Sequence, residues 1–257
     1  MSQHLCNYYE KLQNEFYQHT RNTLFRREEE DIHQLRVTVK KLRALLHLIA
    51  YSSEGIYHSS SHLTIFKPLF KAAGTIRDLQ IHLKLLEKED TPSFLTQKLQ
   101  QEIEIQQTLL TQQLIHFDFQ RLLQLDQHLV KVIKHQSTSK ILSDLKSYVQ
   151  REQQQVEELL KEDHPYQHLH EVRKHLKKVA TILDLGLHIR SSKKLEEQLQ
   201  AVKTTNTLLG EWHDWDVLAE KLQTFKHTSK TSALIKKIQK KADKKGRHLL
   251  KEIQSNK

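Results

Sequence analysis

The feature that most constrains the fold is an internal repeat of two short segments. Residues 33–42 (HQLRVTVKKL) align with residues 170–179 (HEVRKHLKKV), 137 positions later. Residues 74–78 (GTIRD) align with residues 210–214 (GEWHD), 136 positions later. Because both matches occur in the same order and at nearly the same offset, they indicate that one structural unit has been duplicated. The sequence therefore predicts two copies of that unit, related by a pseudo-twofold axis.

Each unit is predicted to be a bundle of four α-helices. Apolar residues recur every three or four positions along almost the whole chain, which is the helical period. Five Gly and three Pro in 257 residues are too few for the many tight turns of a sheet protein. We therefore predict an all-α fold of two four-helix bundles in one domain over residues 1–257, with repeats at 1–135 and 136–257. The eight predicted helices span 3–27, 31–50, 62–89, 93–135, 139–162, 166–189, 193–225 and 230–254, with a break in the fourth near 116–118.

The net charge of the chain is +10, and it is unevenly distributed. Residues 226–257 carry 11 Lys or Arg and two Asp or Glu, a net charge of +9, which leaves +1 for the preceding 225 residues. Net charge alone therefore does not identify a binding surface. A basic face within residues 1–225 requires that helical phase separates basic side chains from acidic ones.

Several classes of protein are excluded by what the sequence lacks. One cysteine, Cys6, excludes a disulfide framework and a multi-cysteine zinc site. Phosphate loops, dinucleotide fingerprints and serine nucleophile elbows do not occur. Among the 18 histidines, His58 with His62 and His164 with His168 have a spacing that could share a metal ion. Each pair lies beside a break between helices and lacks a local carboxylate as third ligand, which disfavours a metal site. No apolar run approaches the roughly 18–20 residues that cross a bilayer, and the N-terminus lacks a signal peptide. We expect a cytoplasmic protein that is not an enzyme and needs no cofactor or metal.

Two predicted helices, 31–50 and 166–189, each carry a basic stripe opposite an apolar face. At 100° per residue, the apolar side chains of each helix share one arc and the basic side chains share the other. The stripes comprise His33, Arg36, Lys40, Arg43 and His47 in the first helix, and His170, Arg173, Lys174 and Lys177, with Lys178 at the edge, in the second. Neither stripe has an acidic partner among its first four members.

The ordinary interpretation of such a stripe is a solvated surface. Solvated helix faces normally include Glu residues that pair with Lys four positions away, and these stripes do not. Unpaired like charges cost stability, so their presence in both repeats favours a ligand that neutralises them. A linear anion fits cations spaced by about one helical turn, with arginines binding oxygens bidentately and lysines acting as point charges. His33 and His170 either gain charge on binding or form hydrogen bonds within the bundle.

The two H-x-x-R-x-x-x-K-K helices and the two G-x-x-[R/H]-D segments resemble the CHAD domain, the conserved histidine α-helical domain. The resemblance spans essentially the whole chain, because that fold consists of two four-helix bundles related by a pseudo-twofold axis. Members of the family bind inorganic polyphosphate through basic residues that line a groove or pore between the bundles. The resemblance implies polyphosphate contacts at His33, Arg36, Lys40, Lys41, Arg43, Lys67, His170, Arg173, Lys174, Lys177, Lys178 and Lys203.

The second repeat departs from the pattern of the first. Ala180, Asp184 and His213 stand where Arg43, His47 and Arg77 would recur. These departures concern the symmetry of the binding surface and leave the predicted fold unchanged. Asp78 and Asp214, which end the repeated G-x-x-[R/H]-D segments, are expected to hold helices together by pairing with Arg or Lys.

Residues 230–254 are predicted to form a docked amphipathic helix, because their apolar residues share one face. Three hypotheses account for its many basic residues: a solvated surface, a helix on an acidic membrane, or an extension of the polyanion track. The apolar face contains no Trp or Phe and is needed to complete the second bundle, which disfavours the membrane. The favoured extension is assigned to Lys237, Lys241, Lys244 and Arg247.

The leading hypothesis is a non-enzymatic module that binds inorganic polyphosphate between two helical bundles. A helical nucleic-acid-binding protein that uses the same residues is the second hypothesis, and an adaptor that docks an acidic protein is the third. No membrane partner is expected, and the oligomeric state is left open. If the ligand is polyphosphate, we expect this cytoplasmic protein to associate with polyphosphate granules. Trp212 and Trp215 are expected in the core.

Overall fold

In the computed structural model, which describes residues 3–225 and 229–255, every regular element is a helix. The all-α prediction is therefore confirmed. The helices are α1 (Gln3–Phe25), α2 (Glu29–Ser52), α3 (Ser60–Leu86), α4 (Ser93–Ile115), α5 (Phe119–His135), α6 (Thr138–Lys161), α7 (Leu169–Ile189), α8 (Lys193–Gln223) and α9 (Ser229–Ser255). A 3₁₀ turn at Pro165–His168 precedes α7. None of these described helices is long and apolar enough to span a membrane.

The fourth predicted helix is two helices, α4 and α5, separated where the sequence predicted a break. The Asp118 side chain caps α5 by accepting a hydrogen bond from the Arg121 backbone N–H at 2.8 Å. Such a cap satisfies one of the backbone donors that a helix leaves free at its start. The chain therefore begins a new helix after residue 118 rather than continuing α4.

A buried polar network holds α5 against the rest of the first repeat. Asp126 of α5 accepts hydrogen bonds from Tyr9 and Gln13 of α1. The Nε2 atom of His62, on α3, lies 3.2 Å from the same carboxylate, and its Nδ1 atom lies 2.8 Å from the Tyr57 hydroxyl. Because His62 and Asp126 are both buried, we assign this network to packing rather than to catalysis.

The contacts between helices are compatible with the predicted pseudo-twofold relation. Consecutive helices pack together within each repeat, from α1 to α4 and from α6 to α9. Between the repeats, α2 contacts α7, α3 contacts α8, α2 contacts α6 and α1 contacts α7. When α1–α4 are matched with α6–α9, the first two contacts map onto themselves and the last two map onto each other. The repeats therefore meet along α2 and α7, the two helices that carry the basic stripes.

The apolar face of each stripe helix lies in the core, as predicted. On α2 and α7 the buried positions include Leu35, Val39, Leu42, Leu46, Ile49, Leu169, Val172, Leu176, Val179 and Leu183. Each such side chain contributes roughly 1.5–3 kcal/mol through removal from water. Burial of these faces fixes the rotation of both helices and directs the basic stripes towards the space between the repeats.

The C-terminal helix α9 is docked on α8, as the amphipathic pattern predicted. A Cβ atom at Gly246 would lie 2.5 Å from Tyr166 and 2.9 Å from Trp212. Glycine therefore allows α9 to approach this aromatic pair more closely than any other residue would. Trp212 and Trp215 are both buried, which confirms that they belong to the core.

Candidate functional site

Three cavities follow one another along α2 where the repeats meet, and we call them together the basic groove. The first, between α2 and α3, has a volume of about 650 Å³. The second, bounded mainly by α2, α6 and α7, has about 480 Å³, and the third, between α2, α7 and α8, has about 440 Å³. The first two share Arg36, Arg43 and Phe70, and the last two share Lys40, Lys177 and Thr181. Shared lining residues make the three cavities one continuous groove.

The groove brings together nine of the twelve residues predicted to contact polyphosphate. These nine are Arg36, Lys40, Lys41, Arg43, Lys67, Lys174, Lys177, Lys178 and Lys203. His33, His170 and Arg173 do not line the cavities. The cavities add Lys71, one residue after Phe70, to the set of basic lining residues. Lys71 could have been found from the sequence, because it follows the predicted contact Lys67 by one helical turn.

Phe70 positions two arginines at the first end of the groove. The guanidinium carbons of Arg36 and Arg43 each lie 4.5 Å from the centroid of its ring. A cation over an aromatic face gains about 0.5–1 kcal/mol at exposed sites. Arg36 also lies over Gly74, where a Cβ atom would be in ordinary van der Waals contact with the guanidinium carbon, at 3.6 Å. The planes of both guanidinium groups are thus restricted before any ligand binds.

Four cations converge at the centre of the interface between α2 and α7. Burial, together with repulsion from Arg173, Lys40 and Arg36, lowers the pKa of Lys177 to about 7. Desolvation by the surrounding helices and repulsion from Arg36 also lower the pKa of Lys40. Such mutual repulsion means that an anion at this point would relieve an unfavourable arrangement of charge.

Arg173 is one of these four cations, but it does not line the cavities. One of its hydrogen-bond donors has no partner among the described residues. Its Nε atom is buried and makes no hydrogen bond to any residue that the structure describes. Burial lowers the pKa of Arg173, but a guanidinium group remains charged at neutral pH. A buried charged donor without a partner costs free energy, so Arg173 adds to the positive potential of the groove floor.

Asp78 and Asp214 do not form the ion pairs that the sequence led us to expect. Within residues 3–225 and 229–255, neither carboxylate makes a direct ion pair with a Lys, Arg or His. Desolvation raises the pKa of both carboxyl groups, against the opposing effect of Arg36 on Asp78 and of Arg173 on Asp214. The two aspartates therefore moderate the central positive charge from a distance without cancelling it.

The second stripe does have acidic partners, so the prediction that it has none was wrong. His170 pairs with Asp216 at 2.9 Å, Lys174 with Glu171 at 2.6 Å, and Lys178 with Glu152 at 3.1 Å. Two of these acids lie on other helices, α8 and α6, where helical spacing along α7 gave no sign of them. His170 also lies 3.2 Å from His213 and packs on Trp212. His170 therefore forms hydrogen bonds within the bundle, the second of the two roles considered for it.

The basic residues of α9 do not continue the groove. Lys237 lies 2.8 Å from Glu89, in the turn after α3, and Lys241 forms an ion pair with the same carboxylate. The pKa of Glu89 is lowered overall, because the effect of burial, which raises it, is smaller than the combined effect of the hydrogen bonds from Lys237 and Lys241. Lys244 and Arg247 are exposed on another face. None of these four residues lines the groove, and two of them dock α9.

The charges that remain unpaired define what the groove can hold. Among the described residues, eight cations that line it form no ion pair: Arg36, Lys40, Lys41, Arg43, Lys67, Lys71, Lys177 and Lys203. Asp78 and Asp184 are the acidic residues in its lining. In the described part of the chain, no three His, Cys, Asp or Glu side chains are grouped to hold a metal ion. The groove is therefore suited to an extended anion with several charges.

Comparison with known proteins places this architecture in a family. The model of the CHAD domain family matches residues 8–223. The crystal structure of the CHAD domain from the plant Ricinus communis is similar, with a TM-score of 0.70 and 17% sequence identity over 97% of this chain and 85% of that chain. At that identity, the likeness shows the fold alone. No protein of curated function shows significant sequence similarity. Because the family model covers most of its length, the chain belongs to the CHAD domain family.

Proposed function

We propose that the protein binds inorganic polyphosphate in the basic groove and catalyses no reaction on it. The observation that carries the proposal is the continuous groove, to which both repeats contribute a total of eight cations that form no ion pair with a described residue. A linear polyphosphate presents negative charge at every phosphate, so it can engage the three cavities in turn. Neutralising several cations at once also releases counterions, which makes such binding tight at low salt.

The aromatic residues of the groove favour polyphosphate over single-stranded nucleic acid. Proteins that bind single strands stack bases on exposed aromatic rings. The ring of Phe70 is engaged by Arg36 and Arg43, and the side chain of Tyr148 lies against Arg151. Cations therefore occupy both rings that line the groove. Phosphate oxygens can use those cations directly, whereas a base would have to displace them.

Three threonine hydroxyl groups of the groove support a binding role without catalysis. Thr64, Thr75 and Thr181 each donate a hydrogen bond to the backbone carbonyl four residues earlier in their own helix. A hydroxyl nucleophile needs a neighbouring base to accept its proton. These three protons are committed to carbonyl groups, so the hydroxyls add polarity to the walls without acting as nucleophiles.

The first test removes the four cations at the interface of α2 and α7. A variant with Arg36, Lys40, Arg173 and Lys177 all replaced by Ala should lose most of its affinity for long-chain polyphosphate in titration calorimetry, while its circular dichroism stays helical. A matched variant, with exposed Lys88, Lys131, Lys146 and Lys194 replaced by Ala, loses the same charge away from the groove and should retain most of its affinity. If the groove variant binds as tightly as the wild type, the proposal is wrong.

A competition assay separates polyphosphate from nucleic acid. Because both ligands give steep salt dependence, salt alone does not distinguish them. Labelled long-chain polyphosphate bound to the wild type should resist displacement by single-stranded or duplex DNA at equal phosphate concentration. Displacement by DNA at that concentration would instead support the nucleic-acid hypothesis.

A further inference from the structure

The basic residues of α9 lie on two distinct faces. On the docked face, Lys237 and Lys241 pair with Glu89, and Lys245 pairs with Glu211 of α8 at 2.7 Å. A second set lies elsewhere on the helix, and we call it the outer stripe. The outer stripe consists of Lys236, Lys240, Lys244, Arg247 and Lys251, all of which are exposed.

The outer stripe is a regular, one-sided row of charge. Its members are spaced by four, four, three and four residues, so at 100° per residue they fall within an arc of about 80°. At 1.5 Å per residue, the row extends over roughly 22 Å. No member forms an ion pair with any residue in the described part of the chain, in contrast with the lysines of the docked face.

In the described part of the chain, none of the acidic groups near α9 forms an ion pair with the outer stripe. Asp243, at the edge of the stripe, accepts hydrogen bonds from the Tyr166 hydroxyl and the Gln239 side chain, each at 3.3 Å. Glu252 lies on a different arc and pairs with His248 at 3.1 Å. Glu89 and Glu211 face the opposite, docked side. The positive charge of the outer stripe is therefore not neutralised by the elements that pack around it.

We infer that the outer stripe is a second polyphosphate-binding surface, independent of the groove. The inference rests on the proposed function for the class of ligand, whereas the surface itself follows from the geometry of α9. The two surfaces have no residue in common. The outer stripe lines none of the three cavities of the basic groove and lies on an exposed helix face, so a small anion would meet only one or two of its charges. A chain long enough to follow the row would meet all five.

The composition of the outer stripe favours polyphosphate over other polyanions. Four of its five members are lysines, which act as rotatable point charges and adapt to a flexible chain. The row contains no aromatic or amide side chain that could stack on a base or read its edge. The apolar face of α9, including Leu234, Ile238 and Leu249, is buried against the bundle, so it is not free to insert into a membrane.

The test combines variants of the two surfaces in the full-length chain. The stripe variant replaces all five residues of the outer stripe with Gln, and the groove variant carries the four Ala substitutions described above. A charge-matched control replaces Lys88, Lys131, Lys146, Lys161 and Lys194, exposed residues outside α9 and the groove, with Gln. Affinities for long-chain polyphosphate and for tripolyphosphate are measured over a range of salt concentrations.

We expect the two surfaces to separate by chain length. The stripe variant should bind tripolyphosphate like the wild type. For the long chain, the magnitude of its slope of log affinity against log salt should fall by about 3.5, at roughly 0.7 for each of the five lost contacts. The groove variant should lose tripolyphosphate binding and keep weak, salt-sensitive binding of the long chain. Adding the stripe substitutions to the groove variant should abolish this remaining weak binding of the long chain.

Different outcomes overturn the two proposals separately. Equal salt slopes for the stripe variant and the charge-matched control would reject the outer stripe and leave the groove intact. Unchanged binding by the groove variant, with loss in the stripe variant, would reject the groove and leave the outer stripe. If the groove variant binds single-stranded DNA or vesicles containing phosphatidylserine more tightly than long-chain polyphosphate at equal phosphate, the assignment of the outer stripe to polyphosphate is wrong.

Discussion

The two ends of the basic groove are built from equivalent helices, yet they carry different chemistry. At the first end, α2 and α3 supply Arg43, Phe70 and Lys71. At the equivalent positions of α7 and α8, the third cavity has Ala180, Asn206 and Thr207. At the centre of the groove the two repeats are more alike, because Arg36 and Lys40 on α2 correspond to Arg173 and Lys177 on α7. Duplication supplied two copies of the central cations, and within the described residues only the first repeat has a pair of arginines on an aromatic ring.

From this difference we expect Phe70 and Arg43 to act as a unit. Where the aromatic ring is absent, the second arginine is absent too. Asn206 instead donates a hydrogen bond to the backbone carbonyl of Leu176 at 3.0 Å, a local role in joining α8 to α7. The groove therefore has a direction, with a rigid arginine-rich end and a second end that carries flexible lysines and Asp184. We expect the first end to hold phosphate more tightly.

The largest expected effect comes from removing equal charge at the two ends. Arg36→Gln with Arg43→Gln should weaken polyphosphate binding by about 2–4 kcal/mol, since each lost charge-assisted hydrogen bond costs about 1.5–3 kcal/mol and the losses overlap. Lys41→Gln with Lys203→Gln removes two charges from the third cavity and should cost about 1 kcal/mol, because these side chains are flexible and solvated. Titration calorimetry measures the polyphosphate affinity of each variant, so the two losses can be compared. Equal losses would show that the groove has no direction.

A smaller effect is expected when the aromatic support is removed without changing any charge. Phe70→Leu keeps an apolar side chain at a half-buried position but removes the ring from beneath both guanidinium groups. With about 0.5–1 kcal/mol for each cation on the ring, polyphosphate affinity should fall by 1–2 kcal/mol. Salt dependence should be unchanged, because the number of cations is the same. A fall in the salt slope would indicate that the arginines had left the groove, and an unchanged affinity would show that Phe70 does not position them.

The converse experiment builds the first end into the second repeat. Ala180→Arg with Asn206→Phe recreates the arrangement at a cavity of about 440 Å³ that both positions already line. Polyphosphate affinity should rise by about 1 kcal/mol, the gain of one charge-assisted contact less the lost Asn206 hydrogen bond. Ala180→Arg alone serves as the control and should gain less, because its guanidinium group has no ring to restrict it. Equal gains in the two variants would contradict the role of the aromatic ring.

The sequence predicted the parts of this molecule that depend on spacing within one helix. Helical phase located the apolar faces, the two basic stripes and the break before α5. It did not locate partners from distant segments, such as Glu89 for Lys237 or Glu152 for Lys178, because those contacts are set by tertiary packing. Helical spacing did not single out Phe70, although its alignment with Asn206 in the second repeat was a signal that the two ends differ.

The smallest expected effect concerns the centre, which both repeats share. In the free protein the pKa of Lys177 is lowered to about 7, by burial and by repulsion from Arg173, Lys40 and Arg36, against a smaller attraction from Asp214. A bound polyanion raises that pKa, so binding takes up a proton when the pH lies between the free and bound values. Affinity should be constant below about pH 6 and should fall by about three- to tenfold between pH 7 and pH 8.5, at no more than tenfold per unit for one proton.

Lys177→Arg isolates this effect, because a guanidinium group stays charged throughout the range. The variant should bind polyphosphate at pH 8.5 nearly as well as at pH 7, and calorimetry in buffers of different ionisation enthalpy should detect less proton uptake than in the wild type. Long chains are used so that the terminal phosphates contribute little to the titration. Proton uptake of the same size in both proteins would place the titrating group elsewhere in the groove, with Lys40, whose pKa is also lowered, as the next position to substitute.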